Sequence, residues 1–397
     1  MSTLEPVPVP SHVPPHLVID WDFHHPPGGE EALNSAWKSL HSGPDIVWTP
    51  RNGGHWIVTR AEDIEFVQLH HDPFSMRSIT LGQKTPLAIL PLESDPPQHA
   101  AYRLVVMPFL TPKAISLLQE RIRNTTIELI ESIRPRGECD FVRDFAMQLP
   151  IIIFMGLVDL PLADLDRLLS WTEAAVRPRK PDDSRWAFEQ LGAYLTEFIA
   201  ARRASPGKDM VSAIVNARIG DREITDTEMH GMLVNVIFGG LDTVASTMSF
   251  AVEYLAQHPE KRHQLINQPD LIANAPDEIV RAFAPSSTGR VVTRDYEYKG
   301  VLFKAGDRLY VRALLHGMDE RRWENPLEVD FTRRANQQDG FGAGPHKCPG
   351  ALLARTEIRI FLEEWLKRIP DFSLKPGHRA RYSAGMVNCV LSVPLVW

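Results

Sequence analysis

The sequence is short of cysteine, of basic excess and of long apolar runs. Its three cysteines, Cys139, Cys348 and Cys389, are far apart and odd in number. That excludes a disulfide framework and fits a reducing compartment. Neither CxxC nor HExxH occurs, so the spacings that build common zinc sites are missing. The formal net charge over 397 residues is −7, the wrong balance for a general nucleic-acid binder. The start, MSTLEPVPVPSHVPPH, lacks the basic end and apolar centre of a secretory signal. Its prolines predict an extended arm lying on the surface. The run Gly231–Val252 approaches a membrane span, with Asp242 as its one charge, but Asn235, Thr243, Ser246, Thr247 and Ser249 interrupt it. A buried central helix of a large soluble domain suits such a run better. These absences point to a cytoplasmic protein with neither membrane nor nucleic acid as partner.

What is present reads as mainly α with small β regions. Helical periodicity covers Lys113–Ser132, Leu162–Val176, Arg185–Arg203 and Ile358–Arg368. Asp45–Arg60 carries two β-prone runs around Asn52-Gly53-Gly54, a hairpin signal, and Gly289–Leu315 and the final MVNCVLSVPLVW also read as extended. Thr225-Asp226-Thr227-Glu228 has the form of a capping box, and His258-Pro259 ends the periodic run behind it. One helix of about 45 Å between these signals would cross the whole domain. The expected organisation is an arm and first helix over 1–44, packed on one domain over 45–397.

Phe341–Gly350, FGAGPHKCPG, sets Cys348 in a loop of turn residues just before a strong helical run. A helix start favours thiolate over thiol, and the glycines let backbone and a flat group approach the sulfur. Three readings stand side by side: a structural cysteine, a nucleophile with His346 as base, and an axial thiolate on haem iron. On Cys348 alone the first leads. FGGLDTVAS then places Gly239 and Thr243 four residues apart on one helix face. Two glycines inside a helix disfavour it by roughly 1 kcal/mol each and imply that room is needed. A buried Asp242 needs a partner or a role in proton transfer; close helix packing with Asp242 in an ion pair is the plainer account. Glu278 and Arg281 form an i, i+3 pair, ordinarily a surface feature. His99 and Arg103 share a face of a helix opened by Pro96-Pro97.

Together these motifs are similar to those of the cytochromes P-450. Phe341-x-x-Gly344-x-x-x-Cys348-x-Gly350 matches that family's haem-binding signature, and the likeness runs from about Asp45 to Trp397. It is nearest to the bacterial camphor hydroxylase branch, through WTPRNGGHWIVTR, FGGLDTVAS, LTEFIAARR, TRDYEYKGV, EEWLKRIPDFSLKPG and the ending PLVW. The resemblance implies a single triangular fold with a long central helix over haem b, and a monomeric monooxygenase. Electrons would come from a [2Fe–2S] ferredoxin and an NADH-dependent flavoprotein. Cys348 would be the axial ligand of the haem iron, and Phe341, Gly344 and Gly350 would shape its loop. His99, Arg103, Arg290 and His346 would meet the haem propionates. Gly239 would make room for dioxygen, and Asp242 and Thr243 would pass protons. Glu278, Arg281 and Arg333 would lock the loop before Cys348. Leu87, Asn235, Phe238, Ser286, Met386 and Val387 would line the substrate pocket. Leu87 stands where the camphor enzyme has a substrate-binding tyrosine, which argues against camphor itself. A different terpenoid-like ketone, such as a norisoprenoid, bonded by Asn235 or Ser286, fits this departure. Ala100 stands where that enzyme has an arginine, so the ferredoxin would be a cognate one. The alternatives are a haem-binding sensor without turnover, a peroxide-driven member of the same fold, and a Cys348/His346 hydrolase.

Overall fold

The computed structural model describes residues 5–29, 33–81, 87–176, 180 and 182–397. Long helices fall where periodicity places them: Pro112–Ile133, Leu165–Val176, Asp183–Ala204 and Ala351–Arg368. Their starts follow local chemistry. Thr111 caps the first of these by accepting the N–H of Ala114, with Pro112 in the first turn. Leu162–Asp164, expected inside the second, forms a separate 3-10 turn.

The central helix begins as expected. Thr225 and Glu228 form both halves of the capping box. It is not one unbroken helix, however. Asp226–Leu241 ends at Asp242 (φ −112°, ψ −37°), and Thr243–Gln257 starts behind it. The cause is local: the Thr243 hydroxyl donates to the Gly239 carbonyl at 3.3 Å, and that of Thr247 to the Thr243 carbonyl at 2.8 Å. Paired glycines followed by back-bonding threonines are a recognised source of helix distortion. The two halves pack in different cores. Met229, Met232, Leu233, Val234 and Ile237 join the core around Asp183–Ala204, while Ala245, Met248, Ala251 and Val252 join that around Ala351–Arg368. Among the described residues, Asp226–Gln257 is the one straight helical run long and apolar enough to cross a membrane, and 53% of its most apolar window is buried inside the protein.

The β regions expected over Asp45–Arg60 and Gly289–Leu315 meet in one five-stranded sheet, while the C-terminal strands Cys389–Ser392 and Pro394–Val396 pair in two smaller sheets. The order in the five-stranded sheet is Ile46–Thr49, His55–Val58, Arg308–Arg312, Ser287–Val292, Phe74–Ser75. The first two strands form the expected hairpin. Its turn uses Asn52, Gly53 and Gly54 at φ of +52°, +85° and +78°, which glycine and asparagine tolerate best. The arm does more than lie on the surface. Ile19 N–H bonds to the Trp48 carbonyl, and Val13, Leu17, Trp21 and Phe23 are buried against the sheet with Trp37.

Candidate active site

Cys348 lies two residues before Gly350, the N-cap of Ala351–Arg368. The loop turns back on itself: Cys348 N–H bonds to the Phe341 carbonyl, and Gly342 N–H to the Asp339 carbonyl, each at 2.8 Å. Gly342 and Gly344 take φ of +72° and +65°, so side chains there are disfavoured. A Cβ on Gly350 would come within 3.8 Å of the Cys348 sulfur. The cysteine is exposed by its own surface, yet surrounding protein pushes its thiol pKa up. Both hold for a side chain that opens onto an interior recess. Against burial, the N–H groups of Gly350 and Ala351 and the cations Arg103 and Arg355 favour the thiolate. The Phe341 ring packs against the core on one side, and the Arg355 guanidinium lies 4.5 Å from its centroid.

Donors gather around His346. Its ring lies 4.2 Å from that of His99, and Arg103 donates to the adjacent Pro345 carbonyl at 3.1 Å. Both His346 ring nitrogens are buried without a partner. Arg290 is buried, and its hydrogen bonds go to the Thr288 hydroxyl (2.7 Å) and the Gly289 carbonyl (2.9 Å). Neither Arg103, Arg290, His99 nor His346 pairs with a carboxylate among the described residues. Burial, reinforced by neighbouring cations, pushes His99 down to about 4 and His346 to about 3; burial pushes Arg290 down to about 10. Two arginines and two neutral imidazoles gathered with no anion beside them suit a ligand carrying carboxylates. The donor set therefore fits the propionates of haem b.

On the central helix the two glycines have different surroundings. Gly239 is exposed, and a Cβ there would meet nothing within 4 Å. Gly240 does a different job, because a Cβ there would overlap the Phe154 ring. The sequence places the pair together; packing separates them. Gly239→Ala should leave the melting temperature unchanged or slightly raised, since alanine favours a helix by roughly 1 kcal/mol. Gly240→Ala should lose about 1–3 kcal/mol by overpacking. Thermal unfolding of both variants checks this, and equal effects would remove the distinction. Thr243 is half-buried with its hydroxyl on the Gly239 carbonyl, and Asp242 is engaged by a neighbour.

The pocket candidates come from four segments. Leu87 and Phe238 are half-buried against the core around Asp183–Ala204, with Phe238 edge-on to Phe188 at 5.6 Å. Gly231 sits tight against the Ala88 carbonyl, and its own carbonyl accepts the Leu90 N–H, so the Leu87 segment lies on the central helix. Asn235, one turn further along, is half-buried, and its side chain makes no hydrogen bond to another described residue. Ser286 bridges Val387 by backbone, and the Met386 carbonyl accepts both donors of Ser287.

Glu278 and Arg281 form no surface pair. Both side chains are fully buried, joined by bonds of 2.7 and 2.8 Å. Arg333 lies 3.3 Å from the same carboxylate. Arg281 also donates to the carbonyls of Gly317, Pro326 and Glu328. The trio ties Ala275–Phe283 to the segment leading toward the Cys348 loop.

The sequence reading passed over Glu357, a buried carboxyl on Ala351–Arg368 whose pKa burial pushes up to about 8. An acid with a raised folded pKa holds its proton longer in the folded state. Its contribution to stability is therefore greatest at low pH and is lost as pH rises to about 8, by up to about 1.4 kcal/mol per pH unit. Glu357→Gln should flatten that slope and be the more stable form at pH 8; melting curves across pH would show an unchanged slope if this is wrong. No periodicity marks this residue, because a glutamate on a helix reads as surface.

The family model for cytochrome P450 matches residues 182–279 and 277–381. A probable cytochrome P450 127A1 from Sinorhizobium fredii is 34% identical over 404 residues, covering 98% of this chain and 97% of that protein. The mycinamicin IV hydroxylase/epoxidase of Micromonospora griseorubida is 31% identical, over 86% of this chain and 89% of its own. The crystal structures of CYP101J2 and CYP101C1 each superpose with a TM-score of 0.90, at 36% and 37% identity, over 98% of this chain and 99% of theirs.

Proposed function

The chain belongs to the cytochrome P450 family of haem-thiolate monooxygenases, and we propose that it hydroxylates a small apolar terpenoid or norisoprenoid bearing one oxygen. Its electrons would come from a [2Fe–2S] ferredoxin and an NADH-dependent ferredoxin reductase, and it would act as a monomer in the cytoplasm, without membrane or nucleic acid. Asn235 carries the substrate reading. Its half-buried side-chain amide has no hydrogen-bond partner among the described residues, and it stands one turn before Gly239 and beside the segment of Leu87. One polar group on an apolar wall orients a substrate through its single oxygen. Ser286 is the second donor in this reading.

The residues divide the work as follows. When bound, haem b would supply the activation of dioxygen and the transfer of one oxygen atom to a C–H bond. Cys348 would hold its iron, and the N–H groups of Gly350 and Ala351 favour the thiolate form of that sulfur. His99, Arg103, Arg290 and His346 bind and orient the propionates. Gly239 leaves space on the wall of the recess, and Phe238, Leu87, Met386 and Val387 exclude water from it. Asp242 takes protons from solvent and Thr243 holds one at its Oγ1, directed to the Gly239 carbonyl until it is needed. Lys347, exposed beside Cys348, is a contact for an acidic ferredoxin.

The test is spectroscopic and then kinetic. The reduced protein with carbon monoxide should show the red-shifted Soret band of thiolate-ligated haem; haem-loaded protein without it overturns the ligand assignment. Hydroxylation should require NADH, reductase and ferredoxin, and a correct spectrum without turnover would favour a sensor. Oxygenated terpenoids should shift the haem spin state, and Asn235→Leu should weaken them by about 1–3 kcal/mol, the loss expected when a buried hydrogen bond goes unmade. Unchanged affinity would move the role to Ser286.

A further inference from the structure

The loop before Cys348 is built mainly of glycine and proline and has little side-chain anchorage of its own. Among the described residues, three side chains from outside it hydrogen-bond to residues 339–347: Arg103, once, at Pro345; Gln338, once, at the neighbouring Gly340 N–H; and Gln68, twice, at Asp339 and Ala343. Gln68 is the last residue but one of the helix Ala61–Leu69 and is 6% exposed. Its Nε2 donates to Asp339 Oδ2 at 2.6 Å, and its Oε1 accepts the Ala343 N–H. Its backbone is packed against the loop as well. A Cβ on Gly344 would lie 3.1 Å from the Gln68 carbonyl oxygen and 3.3 Å from Leu69 Cδ2. Asp339 is 4% exposed and pairs with no cation among the described residues. Burial pushes its carboxyl up to about 7, and the Gln68 donor acts against that.

We propose that Gln68 is a positioning residue for the haem thiolate, its amide clamping Asp339 and Ala343 so that the turn ahead of Cys348 cannot slide. The inference rests on the haem-thiolate reading above. Its chemistry is specific. A primary amide offers a donor and an acceptor at one point, and this site uses one of each. Leucine would leave a buried carboxyl without its donor and the Ala343 N–H without its acceptor. Asparagine has the same groups but is one methylene too short to span both. The clamp acts on the sulfur through the chain, because Ala343 lies between Phe341, whose carbonyl holds Cys348 N–H, and Gly344.

The experiment follows the carbon monoxide complex of the reduced, haem-loaded enzyme in mild urea. Its readout is the rate at which the red-shifted Soret band gives way to that of haem without its thiolate. Gln68→Leu should lose the band roughly 10- to 100-fold faster, as when the partner behind a metal ligand is removed. Gln68→Asn should fall between Gln68→Leu and the parent, which keeps the test available if the leucine variant does not fold. Asp339→Asn keeps an acceptor for Nε2 and should lose the band at close to the parent rate. Parent-like rates in Gln68→Leu or Gln68→Asn overturn the proposal. So does an Asp339→Asn variant as labile as Gln68→Leu, which would assign the effect to the Asp339 charge. A parent enzyme with no red-shifted band at all would instead end the haem-thiolate reading.

Discussion

Cys348→Ala should abolish the red-shifted carbon monoxide band and lower the proposed ferredoxin-driven hydroxylation to background, while far-ultraviolet circular dichroism should stay that of the parent. The fold tolerates the change because the side chain opens onto the recess. The chemistry does not, because no other described cysteine can replace it: Cys139 and Cys389 are buried elsewhere. Burial pushes the Cys139 thiol up to about 12, so it stays a neutral thiol and a poor ligand. Cys348→Ser tests the same point with a smaller change, since a hydroxyl is a harder and weaker donor to iron than a thiolate. Retention of the band in either variant would place the ligand on another residue.

Glu278→Ala is the second large effect, on stability. It removes the carboxylate from a fully buried pair and leaves Arg281 charged with carbonyl partners alone. It also strips the Asp330 N–H of its acceptor at 2.9 Å. Breaking one side of a buried pair loses about 3–5 kcal/mol, because the remaining charge stays uncompensated. Replacing both partners, as in Glu278→Leu with Arg281→Leu, should recover part of that loss, because no lone charge remains. Thermal or urea unfolding of the three forms decides the matter. A single variant as stable as the parent would mean that the buried pair contributes nothing net.

These outcomes bear on how the sequence is to be read. Thr225 and Glu228 form a capping box because the two partners are three residues apart and meet as soon as a turn of helix forms. The Asn52-Gly53-Gly54 turn is legible for the same reason. Glu278 and Arg281 were visible only as a spacing. Whether that spacing is a solvated pair or a buried lock depends on Gly317, Pro326 and Glu328, which the chain brings back from 36 to 47 residues away.

By itself the sequence determined the helices with their caps, the hairpin, the absence of disulfide and common zinc motifs, and the P450 signature around Cys348. Each depends on residues within about two turns of one another, so spacing alone carries it. The tertiary structure decided what contact between distant segments must decide. It joined Trp56 to Leu309 in one sheet, gave Gly239 open space and Gly240 a phenylalanine, and buried Glu357. It also set Gln68 on Asp339, 271 residues away, where no local pattern could have paired them.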